Sequence, residues 1–168
     1  MKELGPIRTA LFVPGNRPDR VDKAVSSGAD VVIIDLEDAV PPSQKQESRS
    51  KVREKIAAFR DREILVRVNA IGSDFLTGDL DEIVVDGLSC VIVPKVERPV
   101  DIREIDGYLG EAERRNDLEP GTISVIPLIE SARAVQNVFE ILSEKMDSRR
   151  LFTAAFGAAD YTLDMGIE

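Results

Sequence analysis

Six short apolar runs alternate with segments of helical periodicity, and this alternation constrains the fold of the 168-residue chain more than any other feature. In the clearest run, VVII at positions 31–34, four consecutive β-branched residues predict a strand buried on both faces. Such strands are typical of parallel sheets that helices cover. The six predicted strands are 9–13, 31–34, 64–68, 88–93, 123–129 and 151–156.

The segments between these strands each carry one apolar face, as amphipathic helices do. Ser43 and Ser131 are expected to cap the second and the fifth helix. Gly107 and Gly110 disfavour the middle of the fourth helix, because glycine loses more backbone freedom than other residues. The predicted buried face of the fifth helix consists of Val135, Val138, Phe139 and Leu142.

Alternating strands and helices predict an α/β fold with a parallel sheet, either doubly wound or closed into a barrel. No G-x-G-x-x-G follows the first strand, which disfavours a dinucleotide-binding sheet. A (β/α)8 TIM-type barrel typically takes about 250 residues. We therefore expect residues 1–168 to form a single, partial TIM-barrel domain, truncated to about six β/α units.

Composition excludes several classes of function. Acidic residues outnumber basic ones by 31 to 22, and no Lys/Arg-rich run is present, so nucleic acid is not an expected partner. No apolar stretch reaches the roughly 20 residues of a membrane span, and the first residues lack the apolar run of a signal peptide. Cys90 is the one cysteine and lies in an apolar run, which favours a core position and a reducing cytoplasm.

The chain contains no histidine. This excludes Ser-His-Asp and Cys-His nucleophiles, histidine acid/base relays and histidine-ligated zinc. Catalysis would have to use carboxylates, Arg, Lys, Tyr or backbone groups. Carboxylates without His or Cys favour hard cations, of which Mg²⁺ is the usual one.

Ionisable and polar side chains follow the predicted strands at their carboxyl ends, where parallel α/β folds place their sites. Because these ends meet at one edge of the sheet, the side chains are expected to converge there. Together they predict a site for an anion and a metal ion. The candidates are Arg17, Asp35, Glu37, Asp38, Arg67, Asn69, Lys95, Glu97, Glu130 and Asp160.

Each candidate taken alone also has a structural explanation. Arg17 fits a turn that opens a helix, and Glu37 and Asp38 fit the acidic start of one. Lys95 would serve as a structural bridge to a strand acid. Arg67 is harder to explain in this way, because an arginine inside an apolar strand needs an anionic partner.

Several long motifs occur in the order found in one enzyme family. They are LFVPGNRPDRVDKA, GADVVIIDLEDAV, the Lys45-x-x-Ser48-Arg49 helix, VRVN, VPKVE, IPLIES and FGAADYTLDMG. Over positions 8–166 the chain resembles citrate lyase beta subunits and malyl-CoA and citramalyl-CoA lyases, the HpcH/HpaI aldolase/citrate lyase family. That family continues with two more barrel strands and a C-terminal region that have no counterpart in these 168 residues.

The resemblance implies a Mg²⁺-dependent carbon–carbon lyase with a TIM-type barrel. The expected reaction cleaves a 3-hydroxy-acyl thioester, of CoA or of an acyl carrier protein, into an acyl thioester and a 2-oxo acid such as oxaloacetate. One alternative is a malyl-CoA or citramalyl-CoA lyase that gives glyoxylate or pyruvate. Another is a non-catalytic binding or assembly subunit. A homo-oligomer, trimeric or hexameric, is expected.

The resemblance also implies roles for individual residues. The expected metal ligands are Glu130 and Asp160. Substrate binding is assigned to Arg67, which would hold the substrate carboxylate, and to Arg17 and Asn69. Catalytic roles are assigned to Arg67, Glu37 and Asp38. The residues expected to surround the metal-bound waters are Asp35, Glu37, Asp38 and Lys95.

Overall fold

The computed structural model describes residues 6–146 and 150–167. Its strands form one six-stranded parallel sheet in which each strand pairs with the next one along the chain. The predicted α/β class and parallel sheet are therefore confirmed. The strands are β1 (Ala10–Pro14), β2 (Val31–Asp35), β3 (Ile64–Arg67), β4 (Cys90–Val93), β5 (Ser124–Ile129) and β6 (Ala155–Phe156).

Helices follow the strands in sequence, and the first six pack side by side. The fourth helix runs unbroken through Gly107 and Gly110. Within the described residues, no helix combines the length and the apolar character that a membrane crossing requires. The helices are α1 (Pro18–Val25), α2 (Lys45–Ala58), α3 (Leu76–Ile83), α4 (Pro99–Arg115), α5 (Ala132–Gln136), α6 (Val138–Ser143) and α7 (Ala158–Asp164).

In the described part of the chain, both faces of the sheet are buried, and one of them packs against helices. In β2, Val32 and Ile34 belong to the large core shared with the helices, whereas Val31 and Ile33 point to the opposite face. The buried side chains of that opposite face form a second cluster without any helical residue, and none is more than 7% exposed. Side chains of an uncovered flat sheet would be exposed, so this sheet curls and they cover one another, as inside a partial barrel.

The sixth strand is shorter than the sequence predicts. Of the predicted strand 151–156, Ala155–Phe156 forms a strand in the structure, and Leu151 forms an isolated bridge with Val125. Its position explains the difference, because no strand in the described part of the chain pairs with its outer side, and Phe156 is 58% exposed.

The predicted cap of the second helix is wrong. Pro42–Gln44 form a 3-10 turn, and α2 begins only at Lys45. Proline at the start of the turn fixes its backbone and lacks an N–H, so the tighter turn precedes the helix. Ser43 therefore lies inside that turn rather than at the N-cap of α2.

The predicted fifth helix is divided into α5 and α6 at Asn137. The Asn137 side chain donates to the main-chain oxygen of Glu97 at 2.9 Å, which ties the break to the loop after β4. The Ser131 cap is confirmed, because its hydroxyl accepts the N–H of Ala134 at 3.1 Å.

The predicted buried face of this helix is correct only in part. Val138 packs against the core, but Phe139 is 76% exposed, and Val135 and Leu142 are also exposed. Two of the exposed residues, Phe139 and Leu142, lie on α6 beyond the break at Asn137.

Both edges of the sheet carry exposed apolar side chains. At the β1 edge, Leu11 and Phe12 line a cleft of about 260 Å³ beside α1. At the β6 edge, Val135 and Phe156 line a cleft of about 310 Å³ beside α5 and α6. These two open edges are where a closed barrel would continue.

Candidate active site

The carboxyl ends of β2 and β3 are joined by an ion pair. Asp35 and Arg67 are the last residues of their strands and lie opposite each other in the register. Arg67 donates from Nε to Oδ1 at 2.7 Å and from Nη2 to Oδ2 at 2.6 Å, which is a bidentate pair. Burial opposes the charge on Arg67, but the Asp35 hydrogen bonds and the negative charges of Asp35, Glu37 and Asp38 together outweigh it, so the pKa of Arg67 is raised.

The remaining side of the Arg67 guanidinium faces two further acids. Its Nη1 lies 3.2 Å from Glu37 Oε2 and 3.6 Å from Asp38 Oδ2. Phe12 of β1 flanks the group, with its ring centre 5.4 Å from the guanidinium carbon. Asp38 is at the rim, with 61% of its side chain exposed, whereas Glu37 is buried.

Glu37 is a buried carboxylate with unused hydrogen-bonding capacity. Lys95 Nζ lies 2.9 Å from its Oε1, yet neither oxygen has a hydrogen-bond partner of acceptable geometry among the described residues. Burial raises the pKa of Glu37, while Lys95 and Arg67 oppose that rise. Such a carboxylate can accept a proton or a hydrogen bond from a ligand.

Lys95 connects the two acidic parts of the site. Its backbone lies in the left-handed region, with φ at 56°, directly after Pro94, the residue that follows β4. In this conformation its N–H donates to Glu130 Oε1 at 2.7 Å while its ammonium reaches Glu37. A non-glycine residue in this region is strained, and here the strain accompanies two contacts at the site.

Glu130 and Asp160 approach each other at the ends of β5 and β6. Glu130 is 4% exposed, and Asp160 lies in the first turn of α7. A Cβ on Gly157 would lie 2.6 Å from Glu130 Cβ, so only glycine fits between the two elements. The pair borders a cleft of about 330 Å³, which Lys95 also lines.

Burial and two neighbouring carboxylates raise the pKa of Glu130 to about 7. Burial is the largest cause, and hydrogen bonding to Asp160 and the negative charges of Glu37 and Asp160 add to it. The N–H of Lys95 opposes the rise. Two carboxyl groups this close share a proton or hold a cation between them.

The donor set fits a hard cation. Within residues 6–146 and 150–167, no group of three or more Asp, Glu, Cys or His side chains is arranged to hold a metal ion. An ion at Glu130 and Asp160 would thus take two protein carboxylates and complete its shell with water or ligand oxygens. Mg²⁺ is characteristically bound in this way.

Two residues predicted to bind substrate have other contacts in the structure. Arg17 pairs with Asp19 at 3.1 Å in the turn that opens α1. The amide nitrogen of Asn69 donates to Leu36 O at 3.1 Å and to Asp79 Oδ2 at 2.6 Å, and Asn69 is buried. Their roles in substrate binding remain predictions.

Asp79 is a buried residue that the sequence analysis missed. It is fully buried in α3, where it accepts from Asn69 and from Arg49. A signal was present, because Asp79 lies on the same helical face as Leu76 and Ile83. An acid on an apolar helical face predicts a buried polar contact.

The model of the HpcH/HpaI aldolase/citrate lyase family matches residues 8–168. Citrate lyase subunit beta of Leuconostoc mesenteroides subsp. cremoris is 36% identical over 160 residues, 94% of this chain and 52% of that protein. The L-malyl-CoA/beta-methylmalyl-CoA lyase of Cereibacter sphaeroides is 33% identical in an alignment that covers 97% of this chain and 52% of that protein.

Solved structures give the same match. The citrate lyase beta subunit of M. tuberculosis, complexed with oxaloacetate and magnesium, superposes with a TM-score of 0.72 at 30% identity. The superposition covers 95% of this chain and 61% of that one. The chain spans about half the length of the curated relatives it matches.

Proposed function

We propose a catalytic role from the premise that this chain belongs to the HpcH/HpaI aldolase/citrate lyase family. The proposed reaction is the Mg²⁺-dependent cleavage of a carbon–carbon bond in a 3-hydroxy-acyl thioester of the citryl type. Its products are an acyl thioester and a 2-oxo acid such as oxaloacetate. The citrate lyase and malyl-CoA lyase relatives support this proposal, as does the magnesium and oxaloacetate complex of the M. tuberculosis protein.

The observation that carries the proposal is the Glu130–Asp160 pair beside its cleft of about 330 Å³. We assign Mg²⁺ to these two carboxylates. A bound Mg²⁺ would polarise the substrate oxygen at which negative charge develops. Ionised Glu130 would be favoured by the cation, which offsets the effect of burial on its pKa.

Arg67 is proposed to contact the substrate carboxylate through Nη1. Its Nε and Nη2 are already occupied by Asp35, so a bidentate clamp through that edge would require Asp35 to release it. Nη1 faces the open side, near Glu37 and Asp38. The Asp35 pair and the Phe12 ring would keep the guanidinium oriented for this contact.

Glu37 is proposed to accept a hydrogen bond or a proton from the ligand at its two oxygens, which form ion pairs but no hydrogen bond among the described residues. Lys95 and Arg67 would stabilise its charged form. Asp38 is proposed to act at the rim of the same site, near Arg67 Nη1.

The acyl carrier and the oxo acid distinguish two related proposals. A CoA or acyl-carrier-protein thioester is the expected partner, and oxaloacetate the expected oxo acid. The Cereibacter sphaeroides relative favours the second proposal, a malyl-CoA type of lyase that releases glyoxylate. A citramalyl-CoA lyase would release pyruvate.

We also propose that the six β/α units form part of a (β/α)8 barrel and that the chain forms a homo-oligomer, trimeric or hexameric. The consecutive strand order and the buried inner face support the barrel. The exposed apolar residues of the two open edges support association.

A turnover assay tests the function. Purified chain with Mg²⁺ is expected to release oxaloacetate from a citryl thioester or glyoxylate from malyl-CoA, and Glu130→Ala is expected to abolish release. Glu111→Ala, which removes an exposed acid on α4, is the matched control and is expected to remain active. Metal-dependent binding of the oxo acid without turnover would favour the binding or assembly subunit instead.

A further inference from the structure

The Lys45-x-x-Ser48-Arg49 motif of α2 has no part in the proposed chemistry, yet its two cationic side chains are largely buried. Lys45 is 5% exposed, and 15% of the Arg49 side chain is exposed. A charged group is buried only where hydrogen bonds or opposite charges compensate for lost water. The contacts of these two residues therefore show what the motif stabilises.

Lys45 fixes the main chain that carries Glu37. Its ammonium donates to the main-chain oxygen of Leu36 at 2.7 Å and to that of Glu37 at 2.8 Å. It also lies 5.3 Å from the ring centre of Phe75. These two carbonyl groups precede and follow the Glu37 Cα, so the ammonium holds the main chain on both sides of that residue.

Arg49 is linked to Leu36 indirectly, through Asp79 and Asn69. Its Nε donates to Asp79 Oδ1 at 2.8 Å, and Asp79 Oδ2 accepts from the main-chain N–H of Asn69 at 2.9 Å. The Asn69 amide in turn donates to Asp79 and to Leu36 O. Together with the α2 main chain between Lys45 and Arg49, these contacts close a ring, which we call the positioning ring: Lys45, Leu36, Asn69, Asp79 and Arg49.

The neighbouring backbone accommodates the ring. A Cβ on Gly78 would lie 2.5 Å from Arg49 Nη1 and 2.8 Å from its Cζ, so glycine leaves the path of Arg49 open. Arg49 Nη2 also donates to Phe75 O at 2.8 Å, just before α3 begins. The ring thus links α2 and α3 to the carboxyl ends of β2 and β3.

We propose that Lys45, Arg49 and Asp79 are positioning residues that hold residues 36–40, the β2 loop, and thereby aim Glu37 at the site. Without Lys45, the Glu37 main-chain oxygen loses its ammonium donor, and Leu36 O keeps only the Asn69 contact. The loop would then sample other conformations, and Glu37 would leave Lys95 and Arg67. The effect on ligand binding rests on the proposed function, whereas the effect on the loop does not.

Amide hydrogen exchange tests the loop directly. In the wild type, the Ala39 N–H donates to Asp35 Oδ2 at 3.0 Å and the Val40 N–H to Glu37 O at 3.3 Å. Lys45→Met keeps the aliphatic stem and removes the ammonium, and we expect both amides to lose protection. Lys55 lies on the same helix, but its ammonium pairs with Asp22. Lys55→Met removes this ammonium and should leave both amides protected. Equal protection in all three proteins would overturn the proposal.

Calorimetry with Mg²⁺ and oxaloacetate tests the consequence. Lys45→Met is expected to raise the Kd for oxaloacetate by about tenfold, a typical effect of removing a group that orients a metal site. Ile56→Val, a core change in α2, should lower the melting temperature without changing this Kd. A Kd that follows the melting temperature in both variants would show that Lys45 only stabilises the fold.

If Lys45→Met does not fold, a milder variant still tests the ring. Arg49→Lys keeps a cation that reaches Asp79, and we expect a smaller loss of protection at Ala39 and a smaller rise in Kd. Unchanged protection in a folded Arg49→Lys would contradict the ring. If the wild type binds no oxaloacetate, the proposed function fails, and hydrogen exchange alone decides the role of the ring.

Discussion

At the scale of single residues, the side chains at the strand ends are of two kinds. Some line the cleft beside Glu130 and Asp160, and others hold neighbouring side chains of the site in place. Asp35 belongs to the second kind, because its two oxygens accept from Arg67 and also from the N–H groups of Glu37 and Ala39. Arg67 depends on this partner, since only 13% of its side chain is exposed. The ion pair is therefore part of the framework of the site.

Removing Asp35 is expected to leave the buried charge of Arg67 without its main partner. Asp35→Ala leaves the Arg67 guanidinium without its bidentate partner, and we expect a loss of about 3–5 kcal/mol in the free energy of unfolding. Asp86→Ala breaks the exposed pair with Arg60 and should cost at most about 1 kcal/mol. Urea denaturation measures both, and equal losses would contradict the structural role of Asp35.

Two glycines provide a matched test of the close approach at Glu130. Gly157→Ala places a methyl group 2.6 Å from Glu130 Cβ, and we expect it to destabilise the fold by about 1–3 kcal/mol and to weaken Mg²⁺ binding. Gly107→Ala adds a methyl group in open space on α4 and should stabilise the fold by about 0.5–1 kcal/mol. A harmless Gly157→Ala would show that the two elements can separate.

The raised pKa of Glu130 predicts how stability changes with pH in the metal-free protein. The folded state holds this proton up to about pH 7, whereas the ordinary value is 4.5. Between these values the folded state binds more protons than the unfolded state, so stability falls as pH rises. Melting temperatures in EDTA should fall from pH 5.5 to pH 8, and less so in Glu130→Gln.

Mg²⁺ provides the control for that pH series. Because the ion binds ionised carboxylates, it should raise the melting temperature more at pH 8 than at pH 5.5. An equal fall with pH in Glu130→Gln and in the wild type would assign the pH dependence to another group.

At the scale of secondary-structure elements, the interior strands were predictable and the edge was not. Val31–Asp35 has neighbours on both sides, so its apolar run alone locates it. The last strand and α5–α6 lie where packing partners end, and there the apolar residues do not determine burial. The carboxyl ends of parallel strands meet at one edge of a sheet, and this rule alone predicted that Glu37, Lys95 and Glu130 lie close together.

Contacts between distant elements were beyond such reasoning. Asp79 lies 30 residues from Arg49 and 10 from Asn69, and their hydrogen bonds depend on how α3 packs against α2. The left-handed backbone of Lys95 is equally invisible in VPKVE, because it depends on Glu130 accepting its N–H. Periodicity predicts which face of an element is buried, whereas it does not predict which polar groups meet there.

At the scale of the whole molecule, the main feature is the apolar surface exposed near the two open edges of the sheet. Phe156 of β6 is 58% exposed and Phe12 of β1 is 49% exposed, and Phe139 of α6 is 76% exposed. Monomeric proteins rarely expose contiguous apolar patches of large size. Association of chains through these edges would bury this surface.

Substituting a charge at one edge tests this expectation. In sedimentation velocity the wild type should form an oligomer, and Phe156→Lys should shift it toward the monomer because a charge would have to be buried at the contact. Tyr108→Lys, at a partly exposed position on α4, should leave the assembly unchanged. A wild type that is monomeric at all concentrations would contradict association through the edges.

Calorimetric titration of oxaloacetate into the chain, with and without Mg²⁺, tests the central claim most directly. We expect binding that requires the metal and that Glu130→Ala and Asp160→Ala each abolish, while Glu111→Ala binds as the wild type does. Oxaloacetate binding that is independent of Mg²⁺, or that survives both substitutions, would contradict the assignment of the metal to Glu130 and Asp160.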